Sequence, residues 1–132
     1  MAGIAAPKPL IVTGFTAATD LTGKQYCLLK YSAENTLTYA AANTDLAVGV
    51  LYNEPYTGEP VELVPLGQIC MMKVDGNAGA IVPGTRLTSD AAGVGHATTT
   101  NLQRVSAIAL DNSSADGDVI MVALIASDVS LT

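Results

Sequence analysis

The sequence predicts an all-β fold: a small β-barrel or sandwich-like domain built from short strands and hairpins, with an extended N-terminal arm. Three observations carry this expectation. Apolar residues recur with a period of two from Lys24 onward, as in "TLTYA", where Leu37 and Tyr39 alternate with Thr36 and Thr38; successive side chains on a strand point to opposite faces. The runs are short, and the stretches between them are rich in Gly, Asn, Asp and Pro, the residues that turn a chain. No stretch carries the period of an amphipathic helix of about 10–12 residues. The best helical candidate is "SAENTLTYAAANTDLA", whose alanines allow one or two helical turns.

Taken in order, residues 1–20 read as the arm and residues 21–132 as a single β domain. In the arm, Pro7 and Pro9 flank Lys8; each fixes its own φ and pushes the residue before it toward extended backbone. Ile4, Leu10 and Ile11 add apolar anchors, so the arm is a strip able to lie along a partner. The strands "VELVPL" and "ICMMKV" follow. In the second of these Met71 and Met72 are adjacent, so one faces the core and the other faces outward. Residues 83–98, "PGTRLTSDAAGVGHAT", read as a hairpin: Gly84 turns the chain, "TRLTSD" extends, "AAGVG" turns again and "HATTT" returns. The last strands are "RVSAIAL" and "DVIMVALIA".

A unit also repeats. "AVGVLYNEPYTGEPVELV" from Ala47 matches "SAIALDNSSADGDVIMVA" from Ser106, aligning Leu51 with Leu110, Asn53 with Asn112, Gly58 with Gly117, Glu59 with Asp118 and Leu63 with Val122. Each copy reads strand, polar loop, Gly-acid, strand. Glycine accepts a positive φ cheaply, so the Gly-acid pair can close a hairpin. Two such hairpins predict a pseudo-symmetric β fold.

Composition narrows the function. Of 132 residues 49% are hydrophobic and 14% charged, against about 25% charged in an ordinary protein. The longest apolar run, "VIMVALIA" at 119–126, falls well short of the ~20 residues a membrane helix needs. No membrane partner is expected, and the apolar excess points to a subunit interface and a homo-oligomer. The net charge is -6, and Lys8, Lys24, Lys30, Lys73, Arg86 and Arg104 are scattered. Nucleic-acid binding needs clustered cations, so none is expected. Asp111, Asp116, Asp118 and Asp128 read as solvated loop and strand-end charges. The N-terminus lacks the basic start and long apolar core of a secretion signal, which reads as a cytosolic product.

No catalytic residue emerges, and an enzyme is not expected. A phosphate loop needs Lys and Ser or Thr after its glycines, whereas "GVGHAT" places His96 and Ala97 there. A dinucleotide site needs a third glycine opening a helix. His96 has no Ser, Cys or acid tied to it by spacing, so a strand-edge histidine outweighs a general base. "DNSSADGD" lacks the spacing and the closing Glu of a calcium loop. Cys27 and Cys70 sit in apolar company and are too far apart for a metal knuckle, and a single histidine cannot complete a zinc site. Buried free thiols, no metal and no cofactor are expected. The aromatics Phe15, Tyr26, Tyr31, Tyr39, Tyr52 and Tyr56 all lie in the first 56 residues. Packing is their ordinary use, with Tyr26, Tyr31, Tyr39 and Tyr52 the candidates for an oligomer interface; a stacking platform for bases or sugars is the other reading.

The order of "LTGKQYCLLKYS", "LAVGVLYNEPYTGEPVELVPLGQICMMKVDG", "VPGTRLTSDAAGVGHAT" and "RVSAIALDNSSADGDVIMVALI" resembles the small capsid-decoration (cement) proteins of tailed bacteriophages over residues 20–126. Its most specific parts are the "PGT-x-L-x-S-D-x-x-G" segment and the closing "A-L-D…D-G-D-V" hairpin. The resemblance implies a compact β domain that forms a trimer on the capsid exterior, binds the major capsid protein of a tailed phage and clamps neighbouring capsomers. It also implies synthesis in the host cytoplasm and a functional likeness to the head-decoration protein of phage lambda, whose N-terminal arm orders on the capsid. The competing class is a β-sandwich recognition module, a host-surface or carbohydrate adhesin displayed on the virion. The absence of Trp weighs against sugar binding.

Overall fold

The computed structural model describes residues 8–98 and 103–129. None of these residues is helical, and the "SAENTLTYAAANTDLA" segment forms a hairpin strand and turns instead of helical turns. Its β-branched Thr36 and Thr38 alternate with Leu37 and Tyr39, and that period prevails over the alanines' helix propensity.

Ten strands follow one another: β1 (Val12–Ala17), β2 (Leu28–Ala33), β3 (Thr36–Tyr39), β4 (Gly49–Leu51), β5 (Pro60–Pro65), β6 (Ile69–Asp75), β7 (Arg86–Ser89), β8 (Gly95–Ala97), β9 (Arg104–Ala109) and β10 (Asp116–Val129). They close two barrels, with strand order β1-β3-β2-β4-β5 in the first and β10-β6-β8-β7-β9 in the second. Closure leaves neither sheet with a free edge along its paired length.

The two barrels are one topology used twice. Adding five to each strand number of the first gives the second. The parallel pair β1–β3 corresponds to β6–β8. The antiparallel pairs β1–β5, β2–β3, β2–β4 and β4–β5 correspond to β6–β10, β7–β8, β7–β9 and β9–β10. The repeated hairpins of the sequence are β4–β5 and β9–β10, and their glycines hold matching left-handed conformations, φ 83° at Gly58 and 88° at Gly117.

Residues 12–17 lie inside the span 1–20 that the sequence predicts as arm; they form β1 of the first barrel, paired with β3 and β5. A register shift between Val12 and Phe15, at Gly14 with φ 110°, separates these two half-buried side chains by three residues instead of two. The bulge breaks the period of two that would reveal a strand. Likewise the predicted single domain of residues 21–132 is built as two barrels, the first completed by β1.

The cores explain how the barrels hold together. Ala17, Leu21, Leu29, Leu37, Leu51, Val61 and Leu63 fill the first barrel. A larger cluster contains the inward residues of the second, including Met72, Val74, Leu87, Ala107, Ile120 and Val122, together with Leu28, Val50 and Val64 of the first. Leu28 and Leu29 are therefore both fully buried on opposite faces of β2, and Val50 and Leu51 do the same on β4. Backbone bonds stitch the seam: the Leu28 amide donates to Gly93 at 2.8 Å and the Lys73 amide to Tyr26 at 2.9 Å. The Ser89 hydroxyl donates to the Ala40 carbonyl at 3.3 Å.

Candidate functional site

The positions weighed above as catalytic or metal-binding candidates, and set aside there, have structural surroundings. His96 sits half-buried on β8 with Nδ1 2.9 Å from the carbonyl of Ala97, a backbone contact that ties its ring to its own strand. The 83–98 segment is the antiparallel β7–β8 hairpin, with Asp90 accepting hydrogen bonds from the Ala92 and Val94 amides at its turn. Cys27 and Cys70 are free and buried. Burial pushes the Cys70 thiol up to about 12. Burial also raises Cys27, against the pull of Lys73 and Lys24. Thiols held protonated in this way are poor nucleophiles at neutral pH. Asp118 accepts from the Ser113 hydroxyl at 2.8 Å, which closes the acidic turn on itself. Among the described residues no group of three or more His, Cys, Asp or Glu side chains could hold a metal ion.

Two shallow hollows of about 350 Å³ lie at equivalent hairpins. Asn53, Glu54, Pro55 and Glu59 line one, and the repeat-related Asn112, Ser113, Ser114 and Asp118 line the other. Their polar groups serve the loops. Asn53 Nδ2 donates to the Pro60 carbonyl at 3.1 Å, and Glu54 and Glu59 accept from the amides of Gly23 and Tyr56 at 3.1 and 2.7 Å. These are the joints of the two hairpins.

What remains is apolar surface. The candidate tyrosines do not share one platform: the ring contacts among described residues form two separate pairs. Tyr26 meets Tyr52 edge-on at 6.4 Å. Tyr31 meets Phe15 at 6.0 Å and 68°. Tyr31 lies opposite Leu37, and Phe15 opposite Val61, so both rings are on the core side of the sheet. Tyr31 is nevertheless 55% exposed, which places this pair at an open end of the first barrel. Tyr39 is half-buried against the first core, under the Lys24 ammonium at 4.1 Å. Of the arm residues, Ile4 and Pro7 lie outside the described residues. Pro9 is half-buried and Leu10 is exposed, its amide 3.3 Å from Gln68 Oε1. Ile11 packs against the shared core, so it is already committed to the domain.

One surface escaped the sequence reading. On the outer side of the second barrel Ile108 of β9, Ala123 of β10 and Ile69 of β6 stand in a single cross-strand row. Ile69 is 47% exposed. The signal was present: in "ICMM" and "VIMVALIA" both parities are apolar, as in a strand covered on both faces.

No protein-family model matches the chain, and no curated protein matches it. Among solved structures it is similar to the head fiber gp8.5 N base in bacteriophage phi29, with a TM-score of 0.68 and 21% identity, over 92% of this chain and 100% of that one. At this identity the likeness establishes the fold: the whole two-barrel chain, rather than one barrel, is the unit shared.

Proposed function

We propose that this chain is a structural protein of a tailed-phage virion, carried on the exterior of the head as a homo-oligomer after synthesis in the host cytoplasm. The observation that supports it is the end-to-end match to the phi29 head-fiber base. That match favours a head-associated protein and does not favour kinship with the lambda head-decoration protein in particular. The charge-poor composition fits an adhesive role.

In its finer form the proposal is a trimer whose partner is the major capsid protein and whose binding reinforces the capsomer lattice. Residues 2–9 and Leu10 form the arm that reaches the capsid. Each aliphatic side chain such as Ile4 or Leu10 gains about 1.5–3 kcal/mol on burial, against about 1–2 kcal/mol per residue of backbone ordering. One arm is therefore weak, and several arms on one oligomer gain from raised effective concentration. The test is co-sedimentation with heads of the phage that encodes the chain, with and without residues 2–9. Binding by the full chain, weakened on truncation, and a higher head melting temperature are expected. Failure to bind heads, with retention on a glycan array, would replace this reading with the recognition module.

A further inference from the structure

We propose that the outer face of β9–β10–β6 is a self-association surface, and that it receives the Tyr31–Phe15 end of the first barrel of a second copy, head to tail. The inference deepens the oligomer reading above and rests on it.

The argument comes from the duplicated topology. In the first barrel the row Leu28–Val50–Val64 crosses β2, β4 and β5 on the outer side of the sheet. All three residues are fully buried, because the second barrel is seated on them. The seated part is the end that carries the β7–β8 turn: Gly93 accepts from the Leu28 amide and lies against Cys27 and Tyr39, and Ala92 accepts from the Lys24 ammonium at 3.0 Å. The outer wall of one barrel is thus a seat for the end of another.

The second barrel has the same seat. The equivalent row across β7, β9 and β10 is Arg86–Ile108–Ala123, continued by Ile69 on β6. Solvent reaches every member of this row: Arg86 and Ile69 are exposed, and Ile108 and Ala123 are half-buried. Lys73, on the same side of β6 as Ile69, donates from its ammonium to the Gly23 carbonyl at 3.2 Å, which turns it toward the loop before β2, and Arg86 is the one charged member of the row. The first barrel has the matching end as well. Its β2–β3 turn corresponds to the β7–β8 turn, and beside it stand the exposed Tyr31 and the half-buried Phe15, an aromatic pair with no counterpart in the second barrel. One copy therefore offers an empty seat and an unseated end, on different barrels. Their union is a heterologous contact that repeats the junction already made within the chain, and it closes into a ring where the rotation allows.

The test uses the full chain in sedimentation equilibrium, with Ile69→Glu in the seat and Tyr31→Glu in the end. Both side chains are exposed, and unchanged urea midpoints confirm folding; Ile69→Lys and Tyr31→Ala serve as second variants. Each variant alone is expected to associate about 30-fold or more weakly. An equimolar mixture of the two recovers a heterodimer, because each retains the surface the other lacks. A monomeric wild type would overturn the oligomer reading and this interface with it. An oligomeric wild type that Ile69→Glu leaves unchanged would overturn the interface alone. Loss with Ile69→Glu but not with Tyr31→Glu would mean a two-fold pairing of seats, which also overturns it.

Discussion

The two barrels have the same strand order, the same parallel pair and the same closing hairpin, yet they differ in what their walls face. The first has a private core, and the outer side of its β2–β4–β5 wall is buried under its neighbour. The second shares its interior cluster with that wall, and solvent reaches the equivalent row of its own wall, Arg86, Ile108 and Ala123. Topology and surface use are therefore set by different residues. Turns and inward positions define the barrel, as at Gly58 and Gly117 or Leu63 and Val122. Outward positions decide what the barrel meets: Leu28 occupies a place in the ladder where the second barrel has Arg86.

The strongest way to break this comparison is to cut the seam. Leu28→Ala removes a fully buried side chain from the shared cluster and is expected to cost about 2–5 kcal/mol. Because that cluster joins both barrels, urea unfolding should remain a single transition, with coincident far-UV dichroism and tyrosine fluorescence. Two separated transitions in the wild type would mean that the barrels fold independently.

Gly49 and Gly95 sharpen it next. A Cβ at Gly49 would run into the Val64 carbonyl, which is backbone inside the β4–β5 pair, and we expect Gly49→Ala to cost about 3 kcal/mol. At Gly95 the nearest atom is the methyl end of Met72, which can move, so Gly95→Ala is expected to cost about 1 kcal/mol. Equal chemical-denaturation midpoints for the two variants would contradict this ordering. A smaller test probes the symmetry itself. Gly58 and Gly117 share a left-handed φ with open space around them. Alanine at either should cost about 1 kcal/mol by the same backbone penalty, and the double variant should show the sum.

The smallest effect belongs to an asymmetry. Lys30 Nζ lies 3.0 Å from Asp45 Oδ2 in the first barrel, the single salt bridge among the described residues. Burial works to raise the Asp45 carboxyl, but the Ala41 amide and Lys30 outweigh it and hold the carboxyl below its usual value. A lowered folded-state pKa stabilises above the unfolded value of about 3.9 and is lost as pH falls through the folded value. Asp45→Asn should therefore cost about 0.2–1 kcal/mol at neutral pH. Thermal melts of the two proteins should converge in acid.

The all-β class, the hairpins at β4–β5, β7–β8 and β9–β10, the buried thiols and the outward-inward split of Met71 and Met72 were legible in the sequence. Each depends on local chemistry: a period of two, a glycine that accepts positive φ, an apolar neighbourhood. The repeat was visible only where two hairpins kept the same residues. That it extends to five strands apiece could not be read, since β1 and β6, or β3 and β8, match in pairing and direction without matching in residue type. β1 was hidden by its bulge at Gly14. The face each apolar residue serves was decided by the tertiary structure alone. An apolar residue on an outward position of a strand, such as Val50 or Ile108, carries the same sequence signal whether it is sealed beneath a second barrel or left in water. Only the placement of that barrel distinguishes them, because burial is a property of what lies opposite and not of the residue itself.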